Sequence, residues 1–136
     1  MLNDSTQNLV ARIKKAKRVY LVGNGGSWAN SVHIANDLIA CGIRAHTLDP
    51  ATLTATANDY GYEYIFSRWL LVFAEPRDLL IALSGSGKSP NILNAIKTAE
   101  VIGMDIEKVF GAPLLDMQSA EEAQVNLAHV LVRALK

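Results

Sequence analysis

The chain alternates between apolar runs of strand length and amphipathic stretches of helix length. Arg18-Val19-Tyr20-Leu21-Val22 and Leu79-Leu80-Ile81-Ala82-Leu83 are nearly continuous apolar runs, the pattern of strands covered on both faces. Residues 43–48 and 107–110 predict two further strands. Between them the helical period recurs. Asn3-Asp4-Ser5 offers N-caps for a helix with the apolar stripe Leu9, Val10, Ile13 and Ala16. A second helix is predicted over 27–40, closed by Gly42, and a short one from Ala51 to a turn at Asn58-Asp59-Tyr60-Gly61. A third long helix, 63–73, carries Ile65, Phe66, Trp69, Leu70, Val72 and Phe73, more apolar surface than one face needs, so part of it is expected to meet another subunit. Ser89 and Pro90 open a helix that Gly103 closes, and a last helix over 119–135 follows a loop containing Pro113. Strands alternating with helices predict an α/β fold: a three-layer, doubly wound parallel sheet of about four strands with flanking helices.

The 136 residues fit one domain spanning 1–136, and a chain that is 50% hydrophobic and 19% charged is not disordered. Thirteen basic residues balance thirteen acidic ones, so no global field draws the chain to nucleic acid or to a membrane. The expected partners are small molecules and other subunits. The single Cys41 excludes an internal disulfide framework and is expected to be buried and inert. With no apolar leader segment and no run of membrane-spanning length, the expected compartment is the cytoplasm.

Two polar loops follow the two apolar strands. Gly23-Asn24-Gly25-Gly26-Ser27 leads into the second helix, so its amides and the positive helix end suit a phosphate, carboxylate or sugar oxygen. A dinucleotide site would need a third glycine where Trp28 stands, and its bulk opposes close helix–strand packing. Ser84-Gly85-Ser86-Gly87-Lys88-Ser89 is the stronger phosphate signal, combining three hydroxyls, a glycine turn and a helix start, with Lys88 as an added cation. With Ala82 the run also fits a loose nucleotide-binding loop, but Pro90 follows the serine that would hold magnesium. The downstream Asp116 follows Pro113-Leu114-Leu115 rather than a clean strand.

His33 and Asp37 are four apart on one helix face. They are either a surface ion pair or a base beside an imidazole, or two ligands of a metal, and spacing does not decide. The last helix offers Glu121, Glu122, Gln124 and His129, where a histidine among Leu127, Ala128, Val130 and Leu131 is more often a buried structural group than a catalyst.

Taken together, Gly23–Ser27, His33-Ile34-Ala35-Asn36-Asp37-Leu38, Thr54–Tyr62 with Ile65-Phe66-Ser67-Arg68, and Ser84–Asn91 resemble the sugar isomerase (SIS) domain family, and within it the phosphoheptose isomerases. The resemblance implies a flavodoxin-like sheet. It implies conversion of a ketose phosphate, sedoheptulose 7-phosphate, to the aldose glycero-manno-heptose 7-phosphate through an enediol. Its alternative is a non-catalytic phosphosugar-binding or regulatory member. Carried residue by residue, Ser27, Ser84, Ser86 and Ser89 match hydroxyls that hold the phosphate, Asn24 and Asp59 match groups that hold the sugar, and Gly25, Gly26 and Gly85 complete the substrate loops. Asp37 falls at the catalytic base and zinc ligand, usually glutamate, and His129 at its acid/base partner. His33 and Glu121, the latter usually glutamine, fall with Asp37 and His129 at positions that bind one Zn2+ per site in some members. No nucleotide cofactor is implied. The family's site lies near subunit interfaces of a homo-oligomer, a dimer or tetramer. Gly85 stands where threonine is common, and a helix ahead of residue 3 and a strand after Gly103-Met104 have no counterpart, so the chain reads as a shortened form.

Overall fold

The computed structural model describes residues 3–111 and 116–136, and the expected loop at Pro113 lies outside the described residues. In chain order the elements are α1 (Asp4–Lys15), β1 (Val19–Val22), α2 (Gly26–Ala40), β2 (Ala45–His46), α3 (Pro50–Tyr60), a 3-10 turn (Tyr62–Tyr64), α4 (Ile65–Phe73), β3 (Leu79–Ser84), α5 (Pro90–Ile102), β4 (Asp105–Phe110) and α6 (Met117–Leu135). The strands pair in parallel in the order β2-β1-β3-β4, with Val19 beside Leu79 and Ala45, and Leu79 beside Asp105.

Period-two alternation sends the two central strands into two cores. Val19, Leu21, Leu79, Ile81 and Leu83 pack with Leu9 and Ile13 of α1, Ile34 and Leu38 of α2, and Ala128 and Leu131 of α6. On the other face Tyr20, Val22, Leu80 and Ala82 meet Phe66 and Leu70 of α4 and Ile92, Ala95 and Ala99 of α5. The winding therefore reverses between β1 and β3. Both polar loops leave the sheet at that switch point, where open parallel sheets hold ligands.

Three expectations are corrected. The second strand pairs over only two residues, because Ile43 N is spent on Leu38 O at the end of α2, and Asp49 caps α3 through Ala51 N and Thr52 N. The expected turn at 58–61 is helical as far as Tyr60. Only Gly61, at φ +113°, breaks it. Cys41 is half-buried at the end of α2 rather than buried. Elsewhere the caps agree with the sequence: Asn3 accepts from Thr6 N at 2.8 Å, and Gly103 takes the left-handed geometry after α5.

Candidate active site

The loop after β1 is built around missing side chains. A Cβ on Gly23 would stand 2.7 Å from the carbonyl carbon and oxygen of Ser27, and Gly25, the N-cap of α2, has φ +55°. Ser27 is thereby drawn inward to 4% exposure. Its neighbour Trp28 has an indole N–H with no partner among the described residues.

The loop after β3 faces it. Ser84 Oγ accepts from Gly87 N at 2.9 Å and Ser86 Oγ from Lys88 N at 3.1 Å, while Ser89 caps α5 by its backbone with its hydroxyl uncommitted. Ser27 Oγ accepts from Gln124 Nε2 of α6 at 3.1 Å. Ser27, Ser84 and Ser86 thus share one arrangement. Each oxygen takes an N–H from the protein, which leaves its own hydrogen available to a further acceptor. Together with Asn24, Ser89, Gly85 and Met117 they line a cavity of about 50 Å³ between the N-termini of α2 and α5. Such a cradle is neutral and rich in donors, which suits a phosphate monoester. Gly85 faces α6, where the Met117 side chain occupies the space that a Cβ would enter.

One wall of the cradle is an interlocked pair of amides. Asn24 and Asn91 each donate to the other's oxygen at 2.8 Å, and the Tyr62 hydroxyl donates to Asn24 Oδ1 at 3.0 Å. This joins the first loop, the start of α5 and the 3-10 turn.

Farther along α2, His33 Nε2 lies 3.3 Å from Asp37 Oδ2, and the His33 ring meets the His129 ring edge-on at 5.7 Å between centroids. Asp37, His33 and His129 are therefore gathered on the α2–α6 seam, and His129 is exposed rather than a buried structural histidine. Glu121 is elsewhere. Its carboxylate lies against Gly26, where a Cβ would come within 2.2 Å of Oε1, whereas Glu122 turns outward and accepts from Gln118. Asp59 is exposed on the last turn of α3, accepting from Asn58 Nδ2 at 3.1 Å, and does not line the cradle. Lys88 is exposed, and Asp116 is the N-cap of α6 through Ser119 N at 2.7 Å.

Two imidazoles and a carboxylate are the donors zinc takes. Their placement within one chain does not fit it, because no three His, Cys, Asp or Glu side chains among the described residues are grouped to hold an ion.

Asn91 and Gln124 carry much of this geometry and had no role assigned from sequence. Gln124 had a signal: it sits in the buried stripe Ala120, Gln124, Ala128, Leu131 of α6, where every other member is apolar. A polar group at such a position must find a partner inside.

The chain is thus a doubly wound α/β domain with a hydroxyl-lined cavity at its switch point and a His–Asp–His cluster on the α2–α6 seam. The chain belongs to the SIS domain family, whose model matches residues 1–109. It is 41% identical over 109 residues to a phosphoheptose isomerase of Campylobacter concisus, covering 74% of this chain and 57% of that one. It is 35% identical to that of Paramagnetospirillum magneticum over 144 residues, covering 93% and 75%. That stretch exceeds the 136 residues of the chain, so the relative carries residues with no counterpart here. The solved phosphoheptose isomerase of Neisseria gonorrhoeae superposes with a TM-score of 0.88 at 23% identity, covering 96% of this chain and 82% of that one, and so shares the fold.

Proposed function

We propose that the chain is an aldose–ketose isomerase acting on a phosphorylated sugar, of the phosphoheptose isomerase type, converting sedoheptulose 7-phosphate to glycero-manno-heptose 7-phosphate. The observation that carries the proposal is the contact of His33 with both Asp37 and His129 on the same two helices, α2 and α6, whose first turns place Ser27 and Met117 in the lining of the serine cradle. In a 7-phosphorylated ketose the reacting carbons C1 and C2 lie at the end remote from the phosphate. Ser27, Ser84, Ser86 and Ser89 hold the phosphate, with Gly25 and Gly26 at the helix start and Asn24 positioned toward the sugar. Asp37 takes the proton from the carbon beside the carbonyl, an enediol forms, and His129 shuttles protons to the neighbouring carbon and oxygen. His33 holds Asp37 toward α6.

The names of the curated relatives support an isomerase over the non-catalytic alternative, though Glu121 turned toward Gly26 and the shorter Asp37 side chain favour the latter. Zinc on His33, Asp37, Glu121 and His129 is carried into none of these steps, because those side chains are not grouped to hold an ion among the described residues. A homo-oligomer, supported by exposed Leu71, Val72 and Phe73, is part of the proposal, as is a reducing cytoplasmic compartment, supported by the free thiol of Cys41. Among the described residues no helix is long and apolar enough to cross a membrane.

The test is incubation of the purified protein with sedoheptulose 7-phosphate, with and without added zinc, following the aldose product and measuring bound metal by elemental analysis. Phosphosugar binding without turnover in both conditions would favour the binding module.

A further inference from the structure

We infer that Gln124 is a positioning residue that sets the direction of the Ser27 hydroxyl, so that α6 aims one of the donors in the phosphate cradle. The inference rests on the proposed reading of that cradle.

Gln124 is 1% exposed, and both ends of its amide are engaged across the α2–α6 seam. Asn30 Nδ2 donates to Gln124 Oε1 at 2.8 Å and also to the Glu121 carbonyl at 3.0 Å. An Asn30 amide whose nitrogen is fixed by two carbonyl-type oxygens leaves Gln124 no choice of orientation: Oε1 faces Asn30 and Nε2 faces Ser27. Nε2 then donates to Ser27 Oγ at 3.1 Å. A serine oxygen that accepts there must point its own hydrogen elsewhere, and the cavity is the open direction. The polarity of the chain of bonds runs one way, from Asn30 through Gln124 and Ser27 to the ligand. Ser84 and Ser86 are oriented in the same sense by backbone N–H groups of their own loop. Ser27 differs in taking its direction from a side chain 97 positions away.

Gln124→Glu tests this with little change of shape. It replaces the donor facing Ser27 by an acceptor, which draws the Ser27 hydrogen away from the cavity. Calorimetric titration with inorganic phosphate is the first readout. The dissociation constant is expected to rise about tenfold or more, the loss of one hydrogen bond to a charged group. Ser27→Ala should raise it by a similar factor, and adding the neutral Gln124→Met to Ser27→Ala should weaken binding no further, because Gln124 acts only through Ser27. With sugar phosphate, KM should rise while kcat holds. Gln124→Met, which neither donates nor accepts, serves if the Glu variant does not fold, with a smaller rise expected in the same cycle. Additive effects in the double variant, or an unchanged dissociation constant in either Gln124 variant, would overturn the inference and leave the cradle standing. Failure of the unmodified protein to bind phosphate would overturn both.

Discussion

Asp37 and His129 belong to different helices, which the core residues Ile34, Leu38, Ala128 and Leu131 pack together, and one side chain touches both. His33 lies 3.3 Å from the Asp37 carboxylate and packs edge-on against His129. A positioned acid or base contributes about 10²–10⁴ in rate. Asp37→Asn and His129→Ala are each expected to lower turnover of sedoheptulose 7-phosphate by that order while leaving phosphate affinity within a factor of about two, measured by steady-state kinetics beside titration. A variant that loses phosphate binding and turnover together would assign the residue to the cradle instead. Gly23 gives the complementary case, a position where only the backbone matters. Its missing Cβ makes room for the Ser27 carbonyl at 2.7 Å, a neighbour that cannot rotate away. Gly23→Ala is expected to cost about 1–3 kcal/mol, read as a lowered midpoint in urea, and to weaken phosphate binding because Ser27 must shift. An unchanged midpoint would mean that the loop after β1 has slack.

At the level of elements, β4 is an edge strand, and α1 deals with its open side. Arg12 of α1 donates to Asp105 at 2.7 and 2.9 Å, to Glu107, and to the Ile106 carbonyl at 2.8 Å, while Ile106 N is taken by Asp105 Oδ1 at 2.9 Å. Both backbone groups of Ile106 are thus consumed, which blunts the edge against strand addition. The Arg12 hydrogen bond holds the Asp105 carboxyl below its ordinary value, and Asp105 and Glu107 raise that of Arg12. A carboxylate with a depressed pKa in the fold adds stability above its unfolded value, near 4, and loses it as pH falls through the folded value. Thermal midpoints of the wild type and Arg12→Ala should therefore differ at pH 7, by about 1 kcal/mol for so exposed a pair, and converge as pH falls below about 4. A gap that persists in acid would place the effect in packing. Elements were legible in the sequence where the signal is local. The runs of β1 and β3, the Asn3 cap of α1 and the Gly103 stop of α5 read directly. The end of α3 was hidden because Asn58 and Asp59 favour turns, yet the helix runs through both and stops only at Gly61. The site divides in the same way. Both loops could be read because each is contiguous, while Gln124 and Asn91 could not be given roles because their partners lie 97 and 67 positions away.

For the whole molecule, the distribution of apolar surface is uneven, and the imbalance has one location. Four residues of α4, Ile65, Phe66, Trp69 and Leu70, bury into the sheet face, but the next three along, Leu71, Val72 and Phe73, are 62%, 74% and 57% exposed. Tyr60 and Tyr64 extend the patch, with Arg68 stacked 3.5 Å over the Tyr60 ring. A lone domain keeps such contiguous surface only at a cost in solubility, and a second copy covering it removes that cost. The sheet makes the patch rigid, since Leu70 and Phe66 anchor α4 in the core and the Tyr20 hydroxyl holds the Phe73 carbonyl at 3.1 Å. A rigid apolar face loses little entropy on docking. Sedimentation velocity should accordingly find the protein well above the 14.7 kDa of one chain, and Val72→Glu with Phe73→Glu should return it to that mass with its helical content intact. Both substituted side chains are solvent-facing within one chain, so the fold has no reason to fail. Sedimentation of the unmodified protein as a single chain at tens of micromolar would remove α4 as an interface and leave its apolar tip unexplained.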